Sequence, residues 1–313
     1  MAKVGVVFPG QGSQQVGMGK DLYDAYPVAK QTFEEANTAL GFDIATLCFE
    51  GPEDELKLTT NTQPAIVTTS IAALRVLQEH ASFDIDFVAG HSLGEYSALV
   101  CADAIDFADA VRTVCKRGEF MQEAVPVGTG TMAAIIGMNQ EQVESLCQQV
   151  NRDDNIVTLA NINSPGQYVI SGHTNAVDEV VDLAKQQGAK RAIPLAVSAP
   201  FHSALMHPAA EKLDQVLQTI TFKDLQIPLI NNAEAALITS GDEARKSLVR
   251  QMYKAVQWEQ SVRLMIDQGV TTFIEVGPGK VLSGLLRRID KKMKGINVGD
   301  TDTLAKAVQV LQE

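Results

Sequence analysis

The sequence predicts an α/β protein, with an α/β-hydrolase-like core built on a largely parallel sheet and an inserted ferredoxin-like small domain. Two observations carry this. Short apolar runs alternate with amphipathic helical stretches at both ends of the chain, the pattern of a parallel sheet covered by helices. The middle reads β-α-β-β-α-β, the ferredoxin-like order. The 313 residues suffice for one large core and a small module.

In chain order, Val4 to Phe8 reads as a buried first strand running into Pro9-Gly10-Gln11-Gly12-Ser13. A helix carrying Leu22, Tyr23 and Phe33 follows. Pro64 to Glu79 has Ile66, Ile71, Leu74 and Leu77 at helical spacing. Phe83 to Ala89 reads as a strand, Gly90 to Gly94 as a sharp turn, and Phe107 to Ala124 as a long helix. Pro126 to Gly130 breaks the pattern. The small domain is assigned to 128–197 and the core to 1–127 and 198–313. Within the insert, Met132–Ile136, Ile156–Ile162, Tyr168–Ser171 and Arg191–Val197 read as strands. Gln140–Val150 and Asn175–Gln187 read as helices. Ser164-Pro165-Gly166-Gln167 has Pro and Gly where a type II turn wants them. Beyond the insert, Pro208–Leu217, Glu243–Tyr253, Val281–Ile289 and Thr303–Leu311 read as helices, and Ile227–Asn231 and Thr271–Val276 as strands.

Composition excludes several classes. No apolar run approaches the ~18 residues of a membrane span. The apolar run at Met1 to Pro9 is too short for a signal peptide, so an unexported, cytoplasmic protein is expected. Cysteines 48, 101, 115 and 147 form no Cys-x-x-Cys pair, which suits reduced thiols. The five histidines show no metal-binding spacing, and no metal is expected. A net charge of −12 disfavours nucleic acid. One basic cluster, Arg287, Arg288, Lys291, Lys292 and Lys294, stands against that balance. A solvated helix face is its plainest reading. With no exposed apolar helix left over, a monomer is expected.

The strongest local signal is Gly90-His91-Ser92-Leu93-Gly94. Gly-x-Ser-x-Gly fits a strand-to-helix turn so tight that a side chain two residues either side of the serine would collide. The serine is then held exposed at the sheet edge in a strained conformation. Apolar Phe87-Val88-Ala89 before it and Glu95 to Leu99 after it supply the required strand and helix. A serine nucleophile needs a base. His91 is adjacent but diverges on a sharp turn; His202 and His207 follow the insert, His202 at a strand-to-loop transition where α/β sheets place functional groups. The amide of Leu93 should supply one oxyanion donor, and the Pro9-Gly10-Gln11-Gly12 loop the other. That loop fails the dinucleotide pattern because residue 15 is Gln.

Several segments resemble malonyl-CoA:acyl carrier protein transacylases: residues 8–14, 61–65, 90–96, 163–167, 201–206, 256–258 and 275–279, in order over nearly the whole chain. The resemblance implies malonyl transfer from malonyl-CoA to acyl carrier protein, with no cofactor. It implies Ser92 as nucleophile, His202 as base and Gln251 orienting the histidine through its backbone carbonyl. Gln11 and Leu93 would give the oxyanion amides, Arg117 would hold the malonyl carboxylate, and Asn163 would line the site. Phe201 resembles the malonyl-selective members, while Ala199-Pro200 departs from the His-Ala of polyketide-synthase relatives. The basic cluster would then meet the acidic carrier. A serine hydrolase and a non-catalytic carrier-binding protein are the rival readings.

Overall fold

The computed structural model describes residues 3–197 and 199–312; the expected domain boundary at 198 lies outside them. Among the described residues ten strands form two sheets. β1 (Lys3–Phe8), β2 (Phe87–Gly90), β7 (Leu229–Ile230), β8 (Leu237–Ile238), β9 (Val270–Val276) and β10 (Lys294–Val298) make a six-stranded sheet in the order β10-β9-β1-β2-β7-β8. All its pairings are parallel except the β7–β8 edge. β3 (Gly130–Ile136), β4 (Val157–Ser164), β5 (Gln167–His173) and β6 (Arg191–Pro194) make an antiparallel sheet in the order β4-β5-β3-β6.

The near-continuous apolar runs of the large sheet follow from burial on both faces. Val6, Phe8, Val88 and Ile274 face a core shared with the helices Thr59–His80, Phe107–Glu123 and His207–Leu217. Their neighbours Val7, Phe87, Ala89 and Phe273 face the opposite layer, formed by Trp258–Asp267 and Val281–Ile289. The small sheet has its own core, in which Ile135, Ile170 and Leu146 meet Val177 and Val180.

Several expectations shift. The helix placed at Pro64 begins at Thr59, because the Asn61 and Thr62 amides already bond the Leu58 carbonyl and leave the proline inside the helix. The strand placed at 83–89 is confined to Phe87–Gly90, and that at 227–231 to two residues. β8, β10 and the helix Trp258–Asp267 were not anticipated. Lys294 therefore opens a strand rather than continuing a basic helix face.

Candidate active site

The carboxyl ends of neighbouring parallel strands build the site, where open α/β sheets hold their functional groups. β1 delivers Gln11, β2 delivers Ser92 and β7 delivers Asn231 and Asn232. The His91 amide donates to the Phe8 carbonyl, so the turn stays tied to β1. Ser92 has φ of 52°, a left-handed conformation that costs a non-glycine residue about 1–3 kcal/mol. A Cβ on Gly90 would lie 1.9 Å from backbone atoms of Gly94, and one on Gly94 would lie 2.4 Å from the Phe8 carbonyl oxygen. Both positions must be glycine for the turn to close.

His202 lies in the loop after β6 and also has positive φ, 58°. Its Nδ1 is 2.7 Å from the Gln251 backbone oxygen, and its Nε2 is 2.9 Å from Ser92 Oγ. A carbonyl only accepts, so Nδ1 carries the proton of the neutral ring. Nε2 is then free to accept from the serine hydroxyl. Burial, reinforced by the Arg117 charge, lowers the His202 pKa to about 3 and keeps the ring neutral.

Arg117 sits on the helix Phe107–Glu123 and is 1% exposed. Gly118 beside it lets that helix approach the backbone of Thr59 and Thr60. The guanidinium donates to Gln63 Oε1 at 2.7 Å, Gln251 Oε1 at 2.8 Å and Ser92 Oγ at 3.1 Å. Ser92, His202 and Arg117 thus converge on one hydroxyl at the floor of a cavity of about 110 Å³. Gln11, Leu93, Met132, Asn161 and Phe201 are among its walls. No described carbonyl or side chain accepts from the Gln11 or Leu93 amide. Asn163 is not a cavity wall. It lies two residues, about 6.6 Å, further along β4, where its Oδ1 meets His91 Nε2 at 2.8 Å.

Residues 6–302 match the acyl transferase domain family. Over 313 residues the chain is 52% identical to the malonyl CoA-acyl carrier protein transacylase of Bacillus subtilis (strain 168), covering 100% of this chain and 98% of that relative. The chain belongs to this transacylase family. The Escherichia coli (strain K12) transacylase is 49% identical over 310 residues, covering 99% and 100% of the two chains. The solved Coxiella burnetii transacylase superposes with a TM-score of 0.97 at 40% identity, covering 100% and 98%. A malonyl-transacylase solved with its type II PKS acyl-carrier protein gives 0.96 at 48% identity, covering 99% and 100%.

Beside the family's motif positions lies a buried polar network that sequence reasoning missed. Asn232 Oδ1 accepts from the Ser92 amide at 2.7 Å, and its Nδ2 donates to the Gly90 carbonyl at 2.7 Å, clamping both sides of the turn. The Gln251 side chain lies between Arg117 and Glu95, its Nε2 donating to Glu95 Oε2 and to the Ser92 carbonyl, each at 3.0 Å. The buried Glu275 carboxylate accepts from the Leu282 and Ser283 amides, capping the helix Val281–Ile289. Residues 253–257 form a seam: Val256 bonds Ala160 and Ile162 of β4, and the Gln257 amide bonds the Asn232 carbonyl.

All five residues of the basic cluster are exposed, and none lines the cavity. Arg287 and Arg288 end the helix Val281–Ile289, and Arg288 donates to Gln167 at the β4–β5 turn. Lys291 and Lys292 lie in the following turn. Among the described residues no group of three or more His, Cys, Asp or Glu side chains could hold a metal, and no helix is long and apolar enough to cross a membrane.

Proposed function

We propose that this chain moves a malonyl group from malonyl-CoA to the phosphopantetheine thiol of an acyl carrier protein through a malonyl ester on Ser92. The observation that carries this is the sharing of Ser92 Oγ between a neutral imidazole and a buried guanidinium. A base beside a hydroxyl makes an acyl-serine; a buried arginine beside it selects an acyl group that ends in carboxylate.

In the first half-reaction His202 Nε2 takes the Ser92 proton as Oγ attacks the thioester carbonyl. The tetrahedral oxyanion is received by the Leu93 and Gln11 amides, each donor lowering the barrier by about 3 kcal/mol. The C–S bond breaks and the imidazolium protonates the leaving CoA sulfur. Its charge meanwhile rests against the Gln251 carbonyl, which stands where other serine enzymes place a carboxylate. In the second half the carrier's thiol gives its proton to His202 and attacks the ester, and Ser92 leaves with that proton. Two separate half-reactions give ping-pong kinetics.

The malonyl carboxylate is two bonds from the ester carbonyl, within reach of Arg117, and a guanidinium can hold it through two hydrogen bonds. Pairing also offsets one of the influences that depress His202, the Arg117 charge, so the correct substrate strengthens its own base. Asn161 and Phe201 bound the acyl group. The basic cluster would meet the body of the acidic carrier outside the cavity while the pantetheine arm reaches in. The chemistry requires no metal or bound cofactor. The enzyme acts as a monomer in the cytoplasm, where its unpaired cysteines stay reduced.

Mixing with malonyl-CoA, then in a separate sample acetyl-CoA, and reading the intact mass tests this. One malonyl adduct is expected, lost in Ser92→Ala, with acetyl-CoA labelling at least 10²-fold more slowly. Steady release of free malonate without carrier would point to a hydrolase instead.

A further inference from the structure

A buried acid beside the site has no part in this chemistry. Glu95 opens the helix Gly94–Cys101 and has no solvent exposure. Its Oε2 accepts from the Asn232 amide at 2.9 Å and from Gln251 Nε2 at 3.0 Å, while Oε1 has no partner. Arg117 is equally buried, and its Nε has no partner. No direct ion pair joins the two among the described residues. They communicate through one side-chain amide. Gln251 offers Oε1 to the guanidinium and Nε2 to the carboxylate, and reversing it would set donor against donor.

We propose that Glu95 is a positioning residue that sets how tightly Arg117 holds an acyl carboxylate: ionised, it shares the arginine's charge through Gln251; protonated, it leaves that charge to the substrate. This deepens the malonyl reading and rests on it. A buried site holding Arg117 and ionised Glu95 is neutral, so a malonyl carboxylate makes it net negative. With Glu95 protonated, the incoming carboxylate meets an unopposed cation. Malonyl binding therefore takes up a proton, and tight binding weakens as pH rises. Full charge on Glu95 would ease the acyl group off Arg117 for transfer.

The surroundings favour titration near neutrality. Burial raises the Glu95 pKa to about 7 despite the bonds from Gln251 and Asn232. From the loop after β7, Glu234 pushes the same way, although Arg250 and Lys254 occupy its carboxylate. From the helix Phe107–Glu123, Arg117 opposes. Burial pushes the Tyr96 hydroxyl, on Glu95's own helix, well above its usual value, so it stays neutral. Burial holds both His91 and His202 below their usual value, which disfavours a positive charge on either ring.

Rapid-quench mass spectrometry of Ser92 acylation at pH 6.0 and 8.5 tests this, with malonyl-CoA and acetyl-CoA each as donor. In the native enzyme the KM for malonyl-CoA should rise roughly tenfold across this range, the equivalent of one pKa unit of coupling, with little change in kcat. Acetylation should not respond. Glu95→Gln, which mimics the protonated acid, should remove the pH dependence and bind malonyl-CoA at pH 8.5 as the native enzyme does at 6.0. Glu95→Asp, keeping the charge, should retain a slope. A merely structural glutamate predicts equal losses for both donors at both pH values, and that result, or an unchanged slope in Glu95→Gln, overturns the proposal. Should Glu95→Gln fail to fold, Gln251→Ala cuts the same bridge and must also flatten the slope. No malonyl adduct at all on the native enzyme would instead sink the malonyl reading itself.

Discussion

The two sheets meet at one cavity but bury opposite chemistry. Around the antiparallel sheet the core is uncharged: Ala133, Ile135, Ile170, Val177 and Val180 pack together, and the polar side chains buried on its strands are Ser164, Ser171 and Asn161. Beside the parallel sheet Gln63, Glu95, Arg117, His202, Asn231, Asn232 and Gln251 are all buried, and most are joined by hydrogen bonds. Buried polar groups are tolerable only when satisfied, so such a network fixes one geometry. The small domain contributes shape, a wall at Met132 and Asn161; the large one contributes aimed dipoles and charge. Substitutions in the two halves should therefore fail differently.

The largest effect sought on stability is in the small domain. Ile170 has no exposure, and Ile170→Ala should cost about 2–5 kcal/mol of stability. Denaturant unfolding measures it. At temperatures where the variant is folded, kcat for Ser92 acylation should stay within about twofold of native. A large kcat loss there would mean that the wall also steers chemistry.

The converse belongs to Asn232. Asn232→Ala removes the acceptor of the Ser92 amide and the donor to Gly90, but keeps the backbone bond to Glu95. A nucleophile misplaced by about 1 Å loses roughly 10²-fold in rate, so single-turnover acylation should drop by that order. KM should change little. A rate within threefold of native would show that the two glycines alone hold the turn.

This division also explains what was legible in the sequence. The small domain announces itself, since its strands pair with near neighbours and Pro165-Gly166 marks the hairpin, Gly166 having φ of 73°. Gly90, Ser92 and Gly94 are equally local, because one backbone turn fixes all three. The clamp of Asn232 on Ser92 spans 140 residues and the reach of Gln251 to Glu95 spans 156, so neither has a spacing to read. Position after the insert made His202 a candidate base and resemblance singled it out; resemblance alone supplied Arg117 and the Gln251 carbonyl, and it did not supply the Gln251 side chain. The helix Trp258–Asp267 was readable in principle, with Trp258, Val262 and Met265 buried at helical spacing. β10 was hidden by its basic approach, although Ile296 and Val298 alternate as a half-buried strand should.

The finest discrimination falls within one strand. Asn161 and Asn163 both lie on β4, yet only Asn161 lines the cavity, while Asn163 bonds the buried ring of His91. Asn161→Ala should act on substrate, raising the KM for malonyl-CoA by roughly three- to tenfold, with stability changed by less than about 1 kcal/mol as expected for a group with no buried partner lost. Asn163→Ala should do the reverse. It leaves His91 Nε2 without a partner, at a cost of about 1–3 kcal/mol in unfolding free energy, and leaves KM where it was. Steady-state kinetics beside denaturant unfolding separates the two. If Asn163→Ala instead shifts KM while stability holds, the ring of His91 transmits to the cavity, and the apolar half of the molecule ends closer to Ser92 than its walls suggest.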